Sequence, residues 1–191
     1  MLKEIHNALK LIKFDKEVIS SVVGDESTTK YGFLILFVTP FLSVFFAALK
    51  YSSGLGSLFS KYLFWPLMIP FVSLTFVFFL EAFFLRKIYK VKIKYLPLFR
   101  VLSYASIVFI LMVVFFILSL FGLNLGDNFL NFLFFSAFFF LLNFNYRFIS
   151  LVYSLKKSSI LVVLCFSVFA YLFVNYFLGI FLVGSSYNIL F

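Results

Sequence analysis

Polar and apolar positions alternate along this chain on the scale of a membrane thickness. After a mixed opening over residues 1–30, five apolar stretches follow, roughly Tyr31–Leu49, Tyr62–Leu85, Val101–Phe121, Phe129–Tyr146 and Ser159–Val183, separated by short polar or charged segments. A helix rising 1.5 Å per residue needs about 20 apolar residues to cross a hydrocarbon core of about 30 Å. The fourth stretch is short. Its helix is expected to continue through Ser150 towards Lys156, where Phe148, Ile149, Val152 and Leu155 keep an apolar surface and Arg147 snorkels. The pattern predicts an all-α, polytopic membrane protein: a five-transmembrane-helix bundle over residues 31–191, preceded by an amphipathic interfacial segment over residues 1–30.

Within that opening segment Leu2, Ile5, Leu9 and Ile12 recur at spacings of three and four, while Lys3, Asn7 and Lys10 fall on the opposite helical face. Such a helix is suited to lying on a membrane surface. Asp15 can cap a second helix, Lys16–Val23, whose apolar face is Val18, Ile19, Val22 and Val23, with Gly24 placed to end it. Asp25, Ser27 or Thr28 then caps the first span. Charges run throughout the segment and no apolar core precedes a small-residue cleavage site, so it does not read as a cleaved signal peptide. The same face offers a docking surface for a soluble partner as the alternative use.

Charge orients the bundle. Arg86, Lys87, Lys90, Lys92, Lys94 and Arg100 crowd the loop after the second stretch, and translocating several cations across a bilayer is strongly disfavoured. With five spans this loop shares its side with Lys3, Lys10, Lys13, Lys16, Lys30, Arg147, Lys156 and Lys157, leaving only Lys50 and Lys61 opposite. Four or six spans would spoil that alternation. The amino terminus is therefore expected in the cytoplasm and the carboxyl terminus outside, in the cytoplasmic membrane of a prokaryote or an endomembrane of a eukaryote. The six loop cations are the predicted contacts for anionic lipid headgroups, each worth on the order of 1 kcal/mol near such a surface. A chain with 64% hydrophobic and 12% charged residues is no water-soluble globule, for which about 25% charged is usual. The net charge of +9 sits in short loops and not on a soluble patch, which argues against nucleic acid.

Candidate chemistry is sparse. The single cysteine, Cys165, excludes an intramolecular disulfide and a cysteine zinc cluster, and the single histidine, His6, reads as an ordinary interfacial side chain. The 34 Phe residues read as lipid-facing bulk. Glu81 is the one acidic residue within a span and so a functional hypothesis by default. It is read either as a structural carboxylate reaching water or a cation at the interface, with Arg86 and Lys87 about a turn away, or as a functional site whose partner is another helix or protein. Asn175 is deeper and is expected to bond to another helix. Asn131, Asn143 and Asn145 lie nearer the ends of the fourth span, within reach of water. Pro40, Pro66 and Pro70 each remove a backbone donor inside a span, Pro66 at a helix start and Pro70 as the kink candidate. Pro97 is expected to precede the third helix. Ser43 with Ala47, and Ser103 with Ala105 and Ser106, offer small surfaces for helix contact. The run Lys90–Tyr95 has a strand-like period of two but no partner, and reads as an extended loop. No catalytic, metal or cofactor site is predicted.

Three blocks together resemble the Yip family, five-span membrane proteins named for interaction with Ypt/Rab GTPases. They are the lead-in LKLIKFDKEVISSVVGDESTTKYGFLILFVTP, the third-span block LFRVLSYASIVFILMVVFFILSLFG and the opening of the fifth span, YSLKKSSILVVL, covering about a third of the chain. The lead-in is similar to that of short prokaryotic members. The longer cytosolic region and the Asp-Leu-Tyr-Gly-Pro motif typical of eukaryotic members are not in this sequence, so their trafficking role and GTPase binding carry over to no residue here. The resemblance implies a five-helix bundle with a cytoplasmic amino terminus and a role in membrane organisation. A non-enzymatic scaffold or adaptor binding proteins or lipids is thus the leading expectation. A small transporter or channel, alone or as a homo-oligomer, or a subunit of a larger complex, is the alternative.

Overall fold

The computed structural model describes residues 2–51, 61–92, 94–120, 127–153 and 155–183, and every regular element among them is helical. The elements are α1 (Leu2–Ile12), α2 (Lys16–Gly24), α3 (Thr28–Tyr51), α4 (Lys61–Lys87), α5 (Tyr95–Ala105), a 3₁₀ turn (Ser106–Phe109), α6 (Ile110–Leu120), α7 (Asp127–Tyr153) and α8 (Lys157–Val183). The side chains of Leu2, Pro40, Ser43, Ala47, Lys50, Lys61, Pro66 and Asn131, named above, lie outside the described residues.

The third apolar stretch is the axis of the molecule. Every residue from Leu98 to Phe109 is buried, and α1, α2, α3, α4 and α7 all pack against α5. The stretch is not one straight α-helix. Ser106 donates its hydroxyl to the Ser103 carbonyl at 2.6 Å, competing for the acceptor that the α-helical ladder would use at that turn. The next residues tighten into the 3₁₀ turn. Pro97 lies inside the first turn of α5, two residues past the start, where a backbone N–H has no intrahelical acceptor to lose. Pro66 is likewise not at a helix start, because α4 begins at Lys61. The Lys90–Tyr95 run forms no strand among the described residues: Lys90, at φ 54°, turns the chain out of α4, and the Val91 N–H donates back to the Leu85 carbonyl at 3.1 Å.

Around the axis, α3 packs along α5, the 3₁₀ turn and α6, and α4 makes its most extensive contact with α8. The approach of α3 to α5 depends on Gly32. A Cβ there would meet the Ser103 Cβ at 3.3 Å and the Arg100 Cα at 3.7 Å. Gly32→Val is therefore expected to wedge the two helices apart and cost about 1–3 kcal/mol, read as a lower midpoint of thermal unfolding in detergent.

The lead-in is part of this core. Asp15 caps α2 by accepting from the backbone N–H groups of Glu17 and Val18, as the sequence predicts. Ala8, Leu11, Ile19 and Val22 are buried in the same cluster as α5. The buried stripe of α1 differs from the expected face. Leu9 is 44% exposed and Ile5 and Ile12 are half-buried. Ala8 and Leu11 instead share with Glu4 the side turned towards α5, because Glu4 carries a bond to that helix. The exposed edge with Leu9 remains apolar and lies beside the docked one.

The outer surfaces of the long helices are strongly apolar. Phe169, Phe173 and Phe177 stack along α8 with ring centroids 6.2 and 6.3 Å apart and stand 58–66% exposed. A soluble protein does not tolerate so continuous a patch. Lipid does.

Candidate functional site

Two polar clusters are buried in this apolar bundle, and neither is an accident of surface decoration. The first locks the lead-in to the axis. Arg100, only 3% exposed, donates from Nε to Thr29 Oγ1 at 2.7 Å and from Nη1 to the Val23 carbonyl at 2.8 Å. Val23 lies in the last turn of α2, where carbonyls lack intrahelical partners and the helix end favours a cation. Arg100 thus caps α2 from α5 and ties both to the first turn of α3. A turn further on, Tyr104 donates to Glu4 Oε2 at 2.6 Å, the length usual for a hydroxyl bonded to a carboxylate. At the α2–α3 corner, the Ser27 hydroxyl and backbone N–H donate to Asp25 and hold its carboxyl below the usual carboxylate range. Phe14 completes the attachment. It takes φ 60° between α1 and α2, stacks on Phe144 of α7 at 4.8 Å, and lies under the Arg147 guanidinium at 5.4 Å.

The second cluster joins α4, α7 and α8. Glu81 is 1% exposed, and its Oε2 accepts from Asn145 Nδ2 at 2.8 Å and faces the Ser167 hydroxyl at 3.3 Å. A serine has one proton to give. Ser167 also lies 2.9 Å from the Val163 carbonyl, the shorter and better bond, so Asn145 is the principal donor to the carboxylate. Glu81 Oε1 and Asn145 Oδ1, both buried, have no hydrogen-bond partner among the described residues. A cavity of about 30 Å³ opens between the three helices at this level, with Glu81, Asn145, Ser167 and Tyr171 in an otherwise apolar wall. Such a volume accommodates one or two water-sized bodies.

Among the residues singled out from the sequence, Arg86, Lys87, Lys90, Lys92 and Lys94 are exposed. Arg100 is the correction: it is buried, and its guanidinium is used inside the fold by Thr29 and Val23. For Glu81 the reading as an interface-paired carboxylate is the one that fails. Its partner is across the bundle on α7, and not a cation one turn along its own helix. Asn145 is buried with it, while Asn143 is exposed. Asn175 is buried and donates to Tyr171 Oη at 3.5 Å. Cys165 and His6 are exposed. Glu4, Thr29, Tyr104 and Ser167 were not singled out at all. No group of three His, Cys, Asp or Glu side chains converges among the described residues.

Among the described residues, four helical segments are long and apolar enough to cross a membrane: Met68–Lys87, Tyr95–Phe115, Phe135–Tyr153 and Lys157–Leu182. Together with the phenylalanine-covered exterior they define a multi-pass integral membrane protein. Comparison with known proteins returns no match to a family model, a curated protein or a solved structure.

Proposed function

We propose that this chain is a non-enzymatic, Yip-like membrane scaffold that crosses the bilayer five times and presents a rigid basic platform to anionic lipid headgroups and to other proteins. The observation that carries the reading is the docked lead-in. Held by Arg100, Tyr104 and Phe14, it shares one end of the bundle with the Arg86–Lys94 turn, and exposed cations at Lys10, Lys13, Lys16, Arg86, Lys87, Lys90, Lys92 and Lys94 surround it. A fixed array of cations loses less side-chain and chain entropy on meeting a charged surface than a free tail does. That end is cytoplasmic by the loop-charge rule, and the apolar edge at Leu9 sits at the lipid boundary. The fifth crossing is α3, whose 24 residues span about 36 Å at 1.5 Å each. The role needs no cofactor. A small transporter is the second reading, favoured by the Glu81 cavity alone.

Lipid retention tests the platform. Replacing Arg86, Lys87, Lys90, Lys92 and Lys94 together with Gln removes several cations worth about 1 kcal/mol each before screening. Native mass spectrometry from mixed micelles of phosphatidylglycerol and phosphatidylcholine is expected to show phosphatidylglycerol binding weakened at least tenfold, with phosphatidylcholine unchanged. Equal retention by the two proteins would sink the proposal.

A further inference from the structure

We infer that the junction of α4, α7 and α8 is a binding site for one small monovalent cation, a proton or a sodium ion, held by Glu81, Asn145 and Ser167. The geometry supplies the donor–acceptor count. Glu81 Oε2 is engaged by Asn145, but among the described residues Glu81 Oε1 and Asn145 Oδ1 are both acceptors without partners, both buried, and both belong to residues lining one cavity. The Ser167 hydroxyl has one proton for two acceptors, the Val163 carbonyl at 2.9 Å and Glu81 Oε2 at 3.3 Å, and its oxygen keeps lone pairs of its own to offer. The residues around the cavity therefore include a carboxylate, an amide and a hydroxyl, with two of their oxygens, Glu81 Oε1 and Asn145 Oδ1, buried and unpartnered among the described residues.

What complements that set is positive. A neutral water can donate to two of the oxygens, yet it leaves the carboxylate charge in a low-dielectric interior, where an unpaired ion is very costly. Among the described residues no Lys, Arg or His lines the cavity. The titratable groups around Glu81 are Tyr171 on α8 and Tyr153 at the end of α7, neither a cation. On its own helix Arg86 and Lys87 are exposed at the end, as is Arg147 on α7. Size and ligand number select the ion. About 30 Å³ excludes an organic cation. One carboxylate balances one positive charge, whereas calcium sites often use several carboxylates. A singly charged ion, or a proton on Glu81 shared towards Asn145 Oδ1 or Ser167 Oγ, matches both the charge and the space.

The site lies inside the bundle, about 9 Å along α4 from its end at Lys87. It joins three helices whose mutual packing the bound charge would tighten. Occupancy is accordingly read as stability.

The test uses the full chain in phosphatidylcholine nanodiscs, so that anionic lipid makes no contribution. Thermal unfolding is followed while sodium chloride replaces choline chloride at constant ionic strength and pH 8, and separately between pH 5 and pH 8.5 without sodium. At a hundredfold excess over Kd the midpoint is expected to rise on the order of 5 °C. A sodium-dependent rise that Glu81→Gln abolishes identifies the ion as sodium. A rise on acidification, indifferent to sodium and abolished by Glu81→Gln, identifies it as a proton. A midpoint that responds to neither, or responds equally in Glu81→Gln, overturns the site. Should that variant not fold, infrared difference spectra of the unaltered protein decide the matter. A shifted carboxylate band with sodium, or a protonated-carboxyl band with acid, upholds the site, and flat spectra under both changes reject it.

Discussion

Arg100→Met is expected to release the lead-in and lower stability by about 2–3 kcal/mol. The magnitude follows from two opposed effects. Two charge-assisted bonds, at 2.7 and 2.8 Å, are lost, and the half-buried Val23 carbonyl loses its Arg100 donor, which together cost several kcal/mol. Methionine also removes a buried charge whose desolvation the fold had to offset, and it keeps much of the stem's packing. Arg100→Lys is expected to rescue only part of the loss, because an ammonium lacks the fork that reaches Thr29 and Val23 at once. Limited proteolysis separates this from general unfolding. Cleavage between Lys10 and Lys30 should become fast in Arg100→Met at a temperature where α7 and α8 remain resistant. Uncut lead-in at that temperature would mean that Arg100 is not its anchor.

Asn145→Leu is the second large effect, about 2 kcal/mol of thermal stability. The bond from Asn145 is the shorter of the two to Glu81 and joins α7 to α4. Hydrogen bonds between membrane helices average only about 0.6 kcal/mol, but one to a buried carboxyl belongs nearer the upper range for charged partners, about 1.5–3 kcal/mol. Ser167→Ala should cost much less, about 0.5 kcal/mol, since the shorter of its two contacts is to Val163 within α8. If the two variants are equally stable, the ranking of donors to Glu81 is wrong.

The long apolar runs made the helices legible, down to the continuation of α7 past Tyr146, because their length and composition leave lipid as the only compatible solvent. Asp15 was legible for a local reason, a side chain capping the two N–H groups that follow it. Arg100 was not, since five of the six cations in its cluster are solvated and only the position of α2 in space makes the sixth a cap. The face of α1 misled in the same way. Leu2, Ile5, Leu9 and Ile12 form the most apolar stripe, but the helix docks on the stripe containing Glu4, Ala8 and Leu11 because Tyr104 meets Glu4 there. The Glu81 cluster draws on residues 64 and 86 positions apart in the chain. Period and spacing register neighbours within an element and carry no signal of partners that distant.

Amide hydrogen exchange across Leu2–Gly24 in nanodiscs tests the docked platform most directly, comparing neutral lipid with lipid containing phosphatidylglycerol. Docking against α5 predicts protection of α1 and α2 in both lipids, at a level close to that of the Leu98–Phe109 core and unaffected by lipid charge. Rapid exchange in neutral lipid, with protection appearing only when anionic lipid is added, would contradict the account and leave the lead-in an interfacial anchor that folds on the membrane.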